Sequence, residues 1–138
     1  EVSTGMPFLI VPLKSLEALK RCRVELEKLF GLIRDTEAKA LLAFCPETYS
    51  SQNDLSVRVF AHYHGVPEDP ATGSANGCLA GYLVKHKYFN AGQVNIRVEQ
   101  GYEIGRPSLL LLNAEEKAGE ISVFVGGKVI LVARGELV

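Results

Sequence analysis

The chain's 138 residues fit one domain with a substantial core, and its apolar runs, such as the leucines 109–112, are far too short to cross a bilayer. A formal charge of −1, with Lys and Arg scattered along the chain, offers no general attraction to nucleic acid or an anionic membrane. Cys22, Cys45 and Cys78 are odd in number and lack CxxC spacing, which argues against a disulfide framework or a zinc knuckle; with no secretory leader pattern at the start, reduced thiols in a cytoplasmic protein are the expectation.

In chain order, "PFLIVPL" (7–13) is an apolar run bounded by prolines and reads as a strand. Ser15 is placed to cap a helix whose stripe is Leu16, Leu19, Cys22, Leu26, Leu29 and Phe30, with Gly31 as its stop. "ALLAFC" (40–45) predicts a second strand, ended by Pro46, and "YSSQND" (49–54) a polar loop. Leu55, Val57, Val59 and Ala61 alternate with Ser56, Arg58 and Phe60, which is strand periodicity. "QVNIRVE" (93–99) alternates in the same way, and "SLLLLN" (108–113) is a further strand. In "EISVFVGGKVILVA" the pair Gly126-Gly127 predicts a two-residue hairpin turn.

Between these strands, residues 74 to about 87 predict a helix with Ala75, Cys78, Leu79, Tyr82, Leu83 and His86 on one stripe. The other side carries Gly77, Ala80, Gly81 and Val84, so almost no charged face precedes Lys85. A surface helix would be amphipathic; this pattern belongs to a helix enclosed on all sides. The fold expected is therefore α+β, a mainly antiparallel curled sheet wrapped around one central helix, with the Ser15 helix outside.

The helix is entered through "EDPATGSANG" (68–77). The first N–H groups of a helix lack intrahelical partners, and Gly73, Ser74 and Ala75 would present theirs unobstructed. With the helix dipole they form a site for a carboxylate or phosphate. Asp69 is either a cap for the turn into the helix, the reading its chemistry alone favours, or a carboxylate aimed at the same pocket. Thr72 and Ser74 carry hydroxyls that suit capping or ligand binding. The chain contains no GxxxxGK[ST] or GxGxxG, so a nucleotide loop is not indicated.

The segment "VRVFAHYHGVPEDPATGSANGCLAGYLV" closely resembles the signature of the PhzF-like isomerases, within the diaminopimelate-epimerase-like fold. "VEQGYEIGRPSLL" (98–110), "VGGKVILVARGEL" and "STGMPFLIVPL" resemble other segments of that family. The resemblance implies two similar domains, each a sheet curled around a helix, with the active site in the cleft between them. It implies proton transfer on small carboxylate-bearing molecules without metal or organic cofactor. By position, Asp69 would be the second-domain acidic residue that contacts substrate, and Thr72, Gly73, Ser74 and Ala75 would form the substrate-binding start of the helix. Thr72 stands where related epimerases have their second catalytic cysteine, which argues against a two-thiol racemase; His62 stands where many members have proline.

No segment here resembles the first domain, which carries the family's general-base glutamate. The resemblance therefore implies that residues 1–138 correspond to a single C-terminal domain, inactive alone and partnered by a first domain or by a second copy in a homodimer. A free-standing small-anion-binding module and a non-catalytic homodimeric assembly are the alternatives. His62 and His64, with Glu68 nearby, have strand spacing for metal ligands, but loop histidines beside a cleft are the preferred reading. Arg106 before Pro107 reads as structural, Glu99-Gln100-Gly101 as hydrogen-bonding support for the pocket, Cys78 as core packing, and Tyr82 and Tyr102 as filling of the barrel.

Overall fold

The computed structural model describes residues 1–136. The strands and helices are β1 (Val2–Ser3), β2 (Pro7–Pro12), α1 (Leu16–Arg21), α2 (Leu26–Ile33), β3 (Ala40–Cys45), β4 (Leu55–Ala61), β5 (Val66–Asp69), α3 (Gly73–Lys85), β6 (Gln93–Gln100), β7 (Ser108–Lys117) and β8 (Glu120–Gly127). They form one sheet in the order β1-β2-β3-β4-β6-β7-β8, with β5 also paired to β4. The sheet is mixed. Five of its pairings are antiparallel, but β2–β3 and β4–β6 are parallel. The parallel pairs arise where helical segments intervene in sequence, α1 and α2 in one case and α3 in the other, because a parallel return needs a crossover.

The sheet curls around α3, and two glycines show how closely. A Cβ at Gly77 would lie 3.4 Å from Thr4 Oγ1, in the β1–β2 loop, and 3.6 Å from Val125 on β8. One at Gly81 would lie 3.9 Å from Val123 on β8 and 4.0 Å from Val2 on β1. Both ends of the sheet therefore approach the same glycine face of the helix. Ala75, Cys78, Leu79, Ala80, Leu83 and Val84 are fully buried against β2–β4, β6 and β7. Small residues are what permit this double approach.

On the convex side, α1 lays Leu16 and Leu19 over Val11, Ala43 and Cys45, forming a second, smaller core. That cover explains why β4, whose pattern predicts one buried face, is buried on both: Leu55, Val57 and Val59 face α3, while Ser56, Arg58 and Phe60 are also shielded.

Two sequence expectations are corrected. The single Ser15 helix is two short helices broken at residues 22–25, and Gly31 lies inside α2. Ser15 does cap α1, accepting from the Ala18 amide at 3.2 Å. The break has a tertiary cause: Nη1 of Arg58 donates to the carbonyls of Leu19, Lys20 and Cys22 at 3.0, 3.3 and 3.1 Å, taking acceptors that a continuing helix would fill. The hairpin expected at Gly126-Gly127 is absent, since both glycines lie in β8 opposite Leu111 and Leu110. The turn is instead Ala118-Gly119, both with positive φ (53° and 84°), between the paired Lys117 and Glu120. Residues 128–136 form no further strand.

Candidate functional site

The entrance to α3 is assembled by three elements. β5 pairs with β4 and ends at Asp69, opposite Val59. Pro70 and Ala71 turn the chain, and Thr72 enters the helix in an extended conformation (φ −107°, ψ 96°). Thr72 is the N-cap residue, yet its side chain does not cap. Its hydroxyl donates to Oδ2 of Asp69 instead. Asp69 accepts from no helix amide among the described residues, so the helix cap favoured by sequence chemistry is not formed.

The first intrahelical bond runs from the Asn76 amide to the Thr72 carbonyl at 3.1 Å. The amides of Gly73, Ser74 and Ala75 find no acceptor among the described residues. Gly73 and Ser74 are exposed, whereas Ala75 is fully buried. A Cβ at Gly73 meets nothing within 4 Å, and its φ lies outside the left-handed region. The Ser74 hydroxyl makes no hydrogen bond among the described residues, and its carbonyl accepts from Thr4 Oγ1 at 3.5 Å. The first turn of α3 carries no acidic residue to offset the dipole.

β6 clasps this entrance with its last residues. Gln100, 1% exposed, donates from Nε2 to the Asp69 carbonyl at 2.7 Å and to Thr72 Oγ1 at 3.0 Å. Its Oε1 accepts from the Thr72 amide at 3.2 Å and from Asn76 Nδ2 at 2.8 Å. Asn76 Nδ2 also donates to the Thr72 carbonyl at 3.0 Å, and Asn76 Oδ1 is buried without a partner. Next in sequence, Gly101 has φ 83°, and a Cβ there would lie 2.3 Å from the Arg106 carbonyl and 2.8 Å from that of Pro70. Glu99, equally buried, holds the polar loop: it accepts from the amides of Tyr49 and Ser50 at 2.7 and 2.8 Å, from Asn53 Nδ2 and from Ser56 Oγ. The tripeptide Glu99-Gln100-Gly101 is thus the structural support of both loops.

The remaining candidates fall outside this cluster. Glu68 forms a two-pronged pair with Arg58 at 2.9 and 2.7 Å, both side chains nearly buried. Those hydrogen bonds hold the guanidinium proton more tightly than in a free arginine. Sequence reading had no signal for the pair beyond the opposite charges, because ten residues and a turn separate them. His62 and His64 lie on a 3₁₀ turn closed by Gly65 (φ 76°), not on a strand face. No group of three His, Cys, Asp or Glu gathers in metal-binding geometry among the described residues. Cys78 is buried with Sγ 3.6 Å from Thr4 Oγ1, and Arg106 closes the 101–106 turn through its amide at 2.9 Å. Tyr82 packs against the main core, but Tyr102 stacks on Tyr49 at 4.2 Å over the polar loop instead of filling the barrel. A groove of about 600 Å³ runs from Ala71 and Gly73 past Leu109 and Val125 to Lys128 and Ile130. No helix among the described residues is long and apolar enough to cross a membrane.

Comparison with known proteins follows the same outline. The PhzC-PhzF family, described as phenazine biosynthesis-like protein, matches residues 2–135. An uncharacterised isomerase of Pasteurella multocida is 39% identical over 137 residues, which is 99% of this chain and 43% of the relative. A trans-2,3-dihydro-3-hydroxyanthranilate isomerase of Pseudomonas chlororaphis is 45% identical over 82 residues, 59% of this chain and 29% of that protein. A PhzF-family phenazine biosynthesis protein of Bacillus anthracis superposes with a TM-score of 0.80 at 26% identity, over 91% of this chain and 43% of its own. The chain spans less than half the length of these relatives.

Proposed function

Because the chain belongs to the phenazine biosynthesis-like PhzC-PhzF family, we propose that it forms one wall of an isomerase active site that moves a proton on a small carboxylate-bearing substrate. Its sheet around a buried helix is read as a diaminopimelate-epimerase-like domain. The substrate carboxylate docks on the amides of Gly73, Ser74 and Ala75, with the Ser74 hydroxyl as a further donor, and Asp69, steadied by Thr72, exchanges a proton with the substrate. The observation that carries this reading is the set of three unpartnered amides at the mouth of a buried helix, beside a carboxylate that is not used as its cap. Backbone donors held in place bind an anion without reorganisation.

Chemistry then requires a second wall with its own base, supplied by a separate first domain or by another copy of this chain. The domain alone binds a carboxylate weakly and catalyses no exchange. No metal or organic cofactor enters this scheme. Exposed Leu109 and Ile130, which flank the groove beside Gly73, offer apolar area for such a partner.

Benzoate is a suitable probe. Titration followed by amide NMR is expected to move the 73–75 resonances first. Ser74→Ala weakens binding by about 1.5–3 kcal/mol, the worth of a hydrogen bond to a charged group. Gly73→Val is expected to remove binding while the helix persists, since its Cβ meets no protein atom and its bulk stands at the first of the free amides. Benzoate shifts scattered over the surface, unchanged by both variants, would refute the site.

A further inference from the structure

We infer that Gln100 is a positioning residue for the proposed proton transfer: it fixes the direction of the Thr72 hydroxyl and so leaves Oδ1 of Asp69 as the oxygen that exchanges the proton. This rests on the role of Asp69 given above and names which of its two oxygens performs it.

The orientation of the Gln100 amide is settled by its partners. On one side stands the Thr72 backbone N–H, which can only donate, at 3.2 Å; on the other stands the Asp69 carbonyl, which can only accept, at 2.7 Å. Oε1 must face the first and Nε2 the second. Flipping the amide would set donor against donor and acceptor against acceptor in a site 1% exposed. Nε2 therefore also donates to Thr72 Oγ1 at 3.0 Å.

A threonine hydroxyl has one proton to give. With Nε2 occupying a lone pair, that proton goes to Oδ2 of Asp69, the remaining neighbour of Oγ1 among the described residues. Were Oδ2 itself protonated and donating, Oγ1 would receive two donors and its own proton would have no acceptor there. Oδ2 is thus held as an acceptor. Oδ1 makes no hydrogen bond among the described residues and is the oxygen free to change its protonation. In the proposed reaction Oδ1 and the base of the second wall work as a pair: one takes a proton from a substrate carbon, whose C–H electron pair stays on the substrate, and the other returns a proton to the substrate. The isomerisation then needs no oxidant or reductant.

The chain itself serves for the test, with solution NMR as the readout. In the wild type the Thr72 hydroxyl proton is expected as a separate, protected resonance showing a nuclear Overhauser effect to the Gln100 side-chain amide. Gln100→Glu keeps the shape and the Oε1 acceptor but removes the donor. The hydroxyl proton should then exchange about tenfold faster, the scale of one lost hydrogen bond, while the Thr72 and Asn76 amides keep their protection. Thr72→Val and Thr72→Ser give an independent comparison should Gln100→Glu not fold: the Ser variant should retain the slow Gln100 side-chain proton and the Val variant lose it. A merely structural Gln100 would lower stability without separating these signals. Equal protection of the hydroxyl proton in Gln100→Glu, or identical Gln100 side-chain exchange in the Val and Ser variants, overturns the relay. Failure of wild-type benzoate binding would strike the carboxylate site instead, and it leaves these hydroxyl signals to decide the role of Gln100.

Discussion

Replacing Gly101 by alanine should be among the most damaging single-methyl additions to the site. The backbone there has φ 83°, and the new Cβ would sit 2.3 Å from the Arg106 carbonyl oxygen, 2.8 Å from the Pro70 carbonyl oxygen and 3.1 Å from Pro70 Cα. All three neighbours are backbone atoms, so no side chain can swing away. Holding an L-residue in the left-handed region costs about 1–2 kcal/mol, and overpacking adds about 1–3 kcal/mol. Together these predict a loss of about 2–5 kcal/mol. With a urea slope of about 2 kcal/mol per molar, in the middle of the usual range, the unfolding midpoint should fall by roughly 1–2.5 M. Gly73→Ala is the internal control. Its Cβ meets nothing and its φ is ordinary, so it should be neutral or more stable by about 0.4–1 kcal/mol through the unfolded chain. Urea denaturation of both variants, followed by circular dichroism, compares them directly. Equal midpoints for the two, or a larger loss at Gly73, would refute the claim that Gly101 is held between the Pro70 turn and the 101–106 turn.

Arg58→Leu should destabilise by about 3–5 kcal/mol, because it strands the nearly buried Glu68 carboxylate; adding Glu68→Leu should recover much of this, and a double-mutant cycle by urea unfolding reads the difference. At alkaline pH, burial raises the Cys45 thiol and the Tyr88 and Tyr102 hydroxyls above their ordinary values of 9.0, 10.0 and 10.0. Groups whose folded pKa is raised contribute stability that is intact below the unfolded value and is lost as pH climbs past it. The melting temperature should therefore hold through neutral pH and decline from about pH 9 upward, and a flat profile to pH 11 would contradict this. Self-association through the apolar surface beside the α3 entrance should give a dimer mass by light scattering, reduced to monomer by Leu109→Glu; a monomer at every concentration tested would remove the second-copy version of the missing wall.

Local periodicity determined most of the strands and the buried character of α3. Alternation along 55–61 and 93–99 and the small-residue run 71–81 are properties of adjacent residues, readable without knowing what lies opposite. The "EDPATGSANG" stretch likewise announced a helix entrance with free amides, because orphan N–H groups follow from helix geometry alone. What the sequence could not decide were matters settled by distant partners. The Ser15 helix carries a continuous apolar stripe, and it breaks because Arg58, 39 residues beyond Leu19, takes the carbonyls at its end. Gly126-Gly127 has the chemistry of a turn, yet it runs straight as strand because Leu110 and Leu111 extend the ladder beside it, while Ala118-Gly119 turns. The partner of the Asp69 carboxylate was likewise tertiary. It is the Thr72 hydroxyl and no helix amide, in a cluster closed by Gln100, 31 residues away, which donates to the Asp69 carbonyl and to Thr72 Oγ1. A hydroxyl or a carboxylate has several acceptable partners within its own segment, so its assignment falls to whichever donor the fold brings into reach.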